Sequence, residues 1–305
     1  MKTKELFIKE LIKEIKASYQ EQISVSYDQK GDQIAFTIRR GGNAAFASCS
    51  ADAVYKVYLS GEDMDSLVKQ IIHLINSHCD AALNVTENIS EYGIMKERLI
   101  VRAIPYDEKA LKDYVWKKNG DIALVLYGCL YDKNNELITF KIPKESVQTW
   151  QMNLLEVLDT AMKNTLVKFP PRAFRSECLE NLDYLGEEFM LTTFPFPDYD
   201  QTPISNMQNL NGAVSVFLPG VAKRISESIG GDFYIANTSI HESMIYDVKT
   251  SSLDNIYRNL LDVTAKYLQA GIIEPREILS LSIYQYHADT GRIEVAKQYV
   301  PSKTK

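Results

Sequence analysis

The order in which strand-like and helix-like patterns succeed one another near the carboxy terminus constrains this chain more than any other feature. Residues 207–305 read as strand (213–218), helix (220–229), strand (232–237), strand (243–248), helix (253–269) and strand (281–287). Apolar residues recur every second position in the strand segments and at helical spacing in the others. Gly230-Gly231 follows the first helix, where a residue without Cβ closes a left-handed cap at little cost. A β-α-β-β-α-β succession folds as an antiparallel sheet with two helices on one face. The expected class is therefore α+β, with mixed or antiparallel sheets and helices packed on one face.

Two further units precede it. Residues 1–94 form a helix-hairpin-helix pattern. Leu6, Phe7, Leu11, Ile12, Ile15 and Tyr19 stripe the first helix, and "QISVSYDQKGDQIAFTIRR" alternates around a Lys30-Gly31 turn. "AVYKVYL" continues the sheet or forms a short helix, with strand the favoured reading, and residues 61–79 read as a second helix. Residues 95–191 carry the strand "ERLIVRAIP", the nearly continuous apolar strand "GDIALVLYGCLYD" and its return "LITFKIP". One long helix then runs through "KESVQTWQMNLLEVLDTAMKNTLVK" to Pro170-Pro171. The proline-rich stretch 192–206 separates this central unit from the last, and the two together are read as one domain.

Composition narrows the partners. A formal net charge of −6 repels phosphate backbones and anionic lipid surfaces, so neither a nucleic acid nor a membrane is expected. No apolar run approaches the roughly 18 residues of a span, and Lys9, Glu10, Lys13 and Glu14 interrupt the first helix where a signal peptide would be apolar. Cys49, Cys79, Cys129 and Cys178 are irregularly spaced and make no Cys-x-x-Cys pair, which fits reduced thiols in a cytoplasmic protein.

The chain has four histidines, and one stands in "NTSIHES" with Ser239 and Glu242 close by. Nucleophilic catalysis would need His241 to take a proton from Ser239 while Glu242 steers the ring. On an extended backbone, residues 239 and 241 project to one face roughly 6–7 Å apart, too far for direct contact without a bend. No Gly-x-Ser-x-Gly elbow is present. The simpler reading makes Thr238 and Ser239 backbone braces of a turn and His241 the donor that anchors it.

Other chemistry has less support. His73 and His78 lie about 140° apart around a helix, and Cys79 adds a single soft ligand, so no metal is expected. "RRGGNAAFASCS" lacks the third glycine of a dinucleotide fingerprint, and Arg39 and Arg40 read as a solvated hairpin end. No cofactor is expected. Arg172 and Arg175 in "FPPRAFR" offer forked donors that could hold a carboxylate, though capping the preceding helix explains them equally.

Three segments, "GDIALVLYGCLYDKNNELITFKIPKESVQTW…FPP", "NGAVSVFLPGVAKRISESIGGDFYIANTSIHESMIY" and "PREILSLSIYQYHADTGRI", resemble a bacterial domain-of-unknown-function family, numbered 5688. The resemblance covers roughly residues 95–298 and is most specific from Asn211 to Glu242. Three places depart from the family pattern: Ala236-Asn237-Thr238, Ser243 with Tyr246-Asp247, and the segment from Trp116 to Asn119. The resemblance implies a single-chain cytoplasmic α+β protein of bacteria with no assigned activity, and marks Ser239, His241 and Glu242 as its motif residues. The resulting expectation is a non-catalytic module that binds a protein or small-molecule partner. The alternative is a hydrolase or transferase built on the Ser239/His241/Glu242 cluster.

Overall fold

The computed structural model describes residues 2–19, 23–29, 32–40, 43–131, 137–173 and 202–300. Two compact units emerge: Met1–Ile94 with Cys129–Thr139, and Met95–Gly128 with Phe140–Lys305. Among the described residues there are three sheets, and their pairings are antiparallel.

The first unit begins with helix α1 (Lys4–Ser18), whose apolar stripe Phe7, Ile8, Leu11 and Ile15 is buried. Strands β1 (Ile23–Asp28), β2 (Gln33–Arg40) and β3 (Asn43–Ser50) pair in sequence order. Helices α2 (Ala51–Leu59) and α3 (Met64–Asn88) follow. Val25, Ile34, Phe36 and Ile38 of the sheet meet α1 and the Leu67, Val68, Ile71, Ile75 stripe of α3 in one core. In this unit one expectation is corrected. "AVYKVYL" is helical: the Ser50 hydroxyl accepts the Ala53 amide as an N-cap, and Tyr58 stacks on Phe7 at 4.5 Å. Arg39 and Arg40 stand at the end of β2, as the hairpin reading has them, and Arg40 pairs with Asn43 of β3.

The second unit, which takes β6 as far as Gly128 and β7 from Phe140, follows the single turn α4 (Tyr92–Met95): β4 (Leu99–Pro105), β5 (Trp116–Asn119), β6 (Ile122–Tyr131) and β7 (Leu137–Lys141) build a sheet in which β6 is central, with the short helix α5 (Glu108–Leu111) between β4 and β5. The expected long helix is instead α6 (Lys144–Thr149) and α7 (Leu154–Lys168). Gln151 takes φ 53°, a left-handed value that ends a helix, and Asn153 caps the next one through the Leu155 amide. Helix α7 shields the edge of β4, where Thr165 Oγ1 accepts the Val101 amide.

The six-stranded sheet has the order β13-β12-β10-β11-β9-β8, from β8 (Pro171–Ala173), β9 (Thr202–Asn206), β10 (Phe233–Ala236), β11 (Ser243–Asp247), β12 (Ile283–His287) and β13 (Arg292–Lys297). Helices α8 (Val221–Ile229) and α9 (Leu253–Gln269) complete the unit, and α9 packs Ile256 and Leu260 against Ala236 and Ile283. The β-α-β-β-α-β order holds, with one displacement. Residues 213–218 do not form its first strand; Gly212–Phe217 is a buried 3-10 turn, and β9 takes the strand position. Among the described residues, no helix is long and apolar enough to cross a membrane.

Candidate functional site

The connection between β10 and β11, Asn237 to Glu242, is short and polar, so each of its groups needs a partner wherever the sheet buries it. Ser239 Oγ accepts the His241 amide at 3.0 Å, a hydroxyl brace two residues long. Thr238 Oγ1 donates to Glu242 Oε1 at 2.9 Å, and Ser243 Oγ donates to Asn237 Oδ1 at 2.7 Å. The loop is thus held from within, and Ser239 and Glu242 are committed to its backbone and to Thr238.

His241 reaches outward to segments far away in sequence. Its Nδ1 accepts the Asn211 amide at 3.1 Å, which fixes the proton on Nε2. Nε2 then faces Glu277 Oε1 at 3.3 Å. The other oxygen of Glu277 accepts the Glu274 amide at 2.7 Å, closing a capping box on the turn Pro275–Glu277. The Glu274 amide, and after it the His241 ring, hold the Glu277 carboxyl below its usual range against the opposing effect of burial. Backbone bonds tie the same loop down: Ile240 N donates to Glu277 O at 2.8 Å, and Ala213 N to Ile240 O at 3.2 Å.

The His241 carbonyl accepts Ser205 Oγ at 2.7 Å, beside Gly212. A Cβ at Gly212 would lie 2.1 Å from Ser205 Oγ, 2.6 Å from His241 O and 2.7 Å from Asn206 N. Only hydrogen fits where these three segments converge. Upstream, the buried Asn206 organises the turn that follows it. Its Nδ2 donates to Leu210 O at 2.8 Å, and its Oδ1 accepts the Gln208 amide at 2.9 Å. Asn209 and Asn211 both adopt positive φ, 52° and 55°, which asparagine tolerates better than most residues. This braced turn leaves Met207 46% and Leu210 49% exposed.

The expected trio is therefore brought into one loop, while the imidazole takes its partners elsewhere. Glu277, not Glu242, is the acid at the ring, and the ring's other bond goes to a backbone amide, not to the serine. A general base needs a lone pair aimed at its nucleophile. Here the only unprotonated ring nitrogen already accepts Asn211 N–H. Glu277 was open to detection as the second acid of Glu274-Pro-Arg-Glu277, a capping-box spacing; its closeness to position 241 has no local signature.

Arg172 lies in β8 opposite Ser205, buried to 2% exposure, with Nη1 donating to Pro171 O at 2.9 Å. It is thus a strand residue of β8. Arg175 and Cys178, and the side chains of Arg39, Arg40, His78 and Cys79, lie outside the described residues. Among the described residues, no three His, Cys, Asp or Glu side chains are grouped to hold a metal ion.

The model of a family of unknown function, DUF5688, matches residues 4–288. No curated protein and no solved structure matches the chain.

Proposed function

The chain belongs to DUF5688, a family of unknown function, and on that premise we propose that it is a non-catalytic binding module that engages a protein partner through residues 206–211. The observation that carries this reading is the double engagement of the His241 ring, by Asn211 on one side and Glu277 on the other. An imidazole held in this way fastens a turn; it does not shuttle protons. The turn it fastens presents Met207 and Leu210 on a backbone already fixed by Asn206, so little ordering entropy is lost when a partner covers them. In this reading the module works in a bacterial cytoplasm, and the irregular cysteine spacing supports that setting.

His241→Ala is expected to lower stability by about 1–2 kcal/mol in a denaturant melt, through loss of two hydrogen bonds at a half-exposed site. Ser239 should stay unlabelled by a fluorophosphonate probe in the unaltered protein. A partner retained in a pull-down from the native cell should be lost when Met207→Ser and Leu210→Ser are combined. Labelling at Ser239 that disappears with His241→Ala would replace this reading with a hydrolase or transferase.

A further inference from the structure

Strands β4 to β7 contain none of the chain's 40 Asp and Glu residues, yet carry Arg102, Lys117, Lys118 and Lys141. The pleat sorts these side chains by face. In register, Arg102 lies opposite Val125 and Val125 opposite Trp116; Ile104 lies opposite Ala123 and Ala123 opposite Lys118. On that face Ala123, Val125 and Leu111 are buried, and Tyr106, Trp116 and Tyr127 pack over them. The rings in turn hold cations. Lys118 Nζ stands 3.9 Å from the Tyr106 ring centre, Arg102 Cζ 5.1 Å from Tyr127, and Lys141 Nζ 5.3 Å from Tyr114. The result is an apolar floor, an aromatic layer and three positive charges pinned on it.

Among the described residues, three nearby acids stand at the margins and a fourth, Asp121, is engaged by hydroxyls. Glu108 and Asp107 lie at the Tyr106 end, where burial first, and then these two carboxylates, raise its phenol pKa. Asp113 stands 3.9 Å from Lys112. The carboxylate of Asp121 accepts the hydroxyls of Ser280, Ser282 and Tyr284.

We propose that this sheet face binds an acidic peptide segment of a partner protein. Carboxylates suit it because cations already positioned by rings lose little freedom on pairing. Single-stranded nucleic acid suits it less. The net charge of −6 repels a polyphosphate at long range, and three of the rings already carry the chain's own cations where bases would stack. The surface is separate from residues 206–211, and its test does not depend on the role of His241.

The full chain is titrated into fluorescein-labelled hexaglutamate and followed by anisotropy. Saturable binding that weakens as salt rises is expected. Lys118→Met with Lys141→Met keeps the apolar stems on their rings, removes the charges, and should weaken binding roughly tenfold. The control pair Lys69→Met with Lys266→Met removes the same charge elsewhere and should change affinity by less than about twofold. Absence of saturable binding, or equal loss in both pairs, overturns the proposal. So does labelled decathymidylate that binds more tightly than hexaglutamate and depends on the same two lysines; the face would then belong to a nucleic acid.

Discussion

Two polar knots hold the second unit together, and they are built on opposite principles. At Asp121, a carboxylate accepts Ser280 Oγ at 2.7 Å, Ser282 Oγ at 2.8 Å and the Tyr284 hydroxyl. The Asp121 amide donates back to the Tyr284 oxygen at 3.1 Å. Its hydroxyl partners are buried, and burial together with Asp121 drives the Tyr284 phenol pKa far upward, so the tyrosine stays protonated as a donor. At His241, the ring and its acid are each 27% exposed, and backbone amides do much of the holding. One knot is a partly buried carboxylate satisfied by buried neutral hydroxyls, and the other is a half-open acid–imidazole pair. Enclosure makes a partner's loss expensive, because stranded groups cannot turn to water. Openness makes a knot sensitive to the solution.

Asp121→Ala should show the largest effect, about 3 kcal/mol in a denaturant melt, because three hydroxyls lose their acceptor at once. If it costs no more than His241→Ala, the contrast between the knots fails. Gly212→Ala comes next, at about 2 kcal/mol, since Cβ would press on the Asn206 backbone nitrogen and the His241 carbonyl. That variant should also speed amide exchange at Asn209 and Asn211 while leaving the Asp121 knot intact.

The smallest effect concerns acid. Glu277 is held below its ordinary value near 4.5, so its contribution is complete above that pH and is lost as pH falls through the lower folded-state value. Glu277→Gln should flatten this limb of a stability-against-pH curve by about 1 kcal/mol or less. An unchanged acid limb would take the pair out of the account.

What the sequence disclosed follows the same division between local and distant causes. Helices α1, α3 and α9 were legible because a 3.6-residue stripe is written within a single segment. Residues 51–59 misled because valine and tyrosine favour strands, whereas the Ser50 cap and the seat of Tyr58 on Phe7 decided for helix. Residues 213–218 misled because an apolar run looks alike whether it forms a strand or a buried 3-10 turn. The candidate loop was found from "SIHE" alone, but Glu277 and Asn211 come from other elements, and no spacing rule joins them to position 241. The cation-bearing face escaped for a related reason: Arg102, Lys118 and Lys141 share it only once β4, β5 and β7 have paired with β6.

The strand order of the six-stranded sheet has a consequence for how the protein is made. Strand β9 pairs with β11 and β10 with β12, so several neighbours in the sheet are distant in the chain. At about 5–20 residues per second of synthesis, β8 and β9 wait for several seconds before an edge exists to receive them. The His241 turn is completed later still, once Glu277 has emerged. Completion of this sheet thus comes late in the order of synthesis, and β12 is the piece whose arrival permits it.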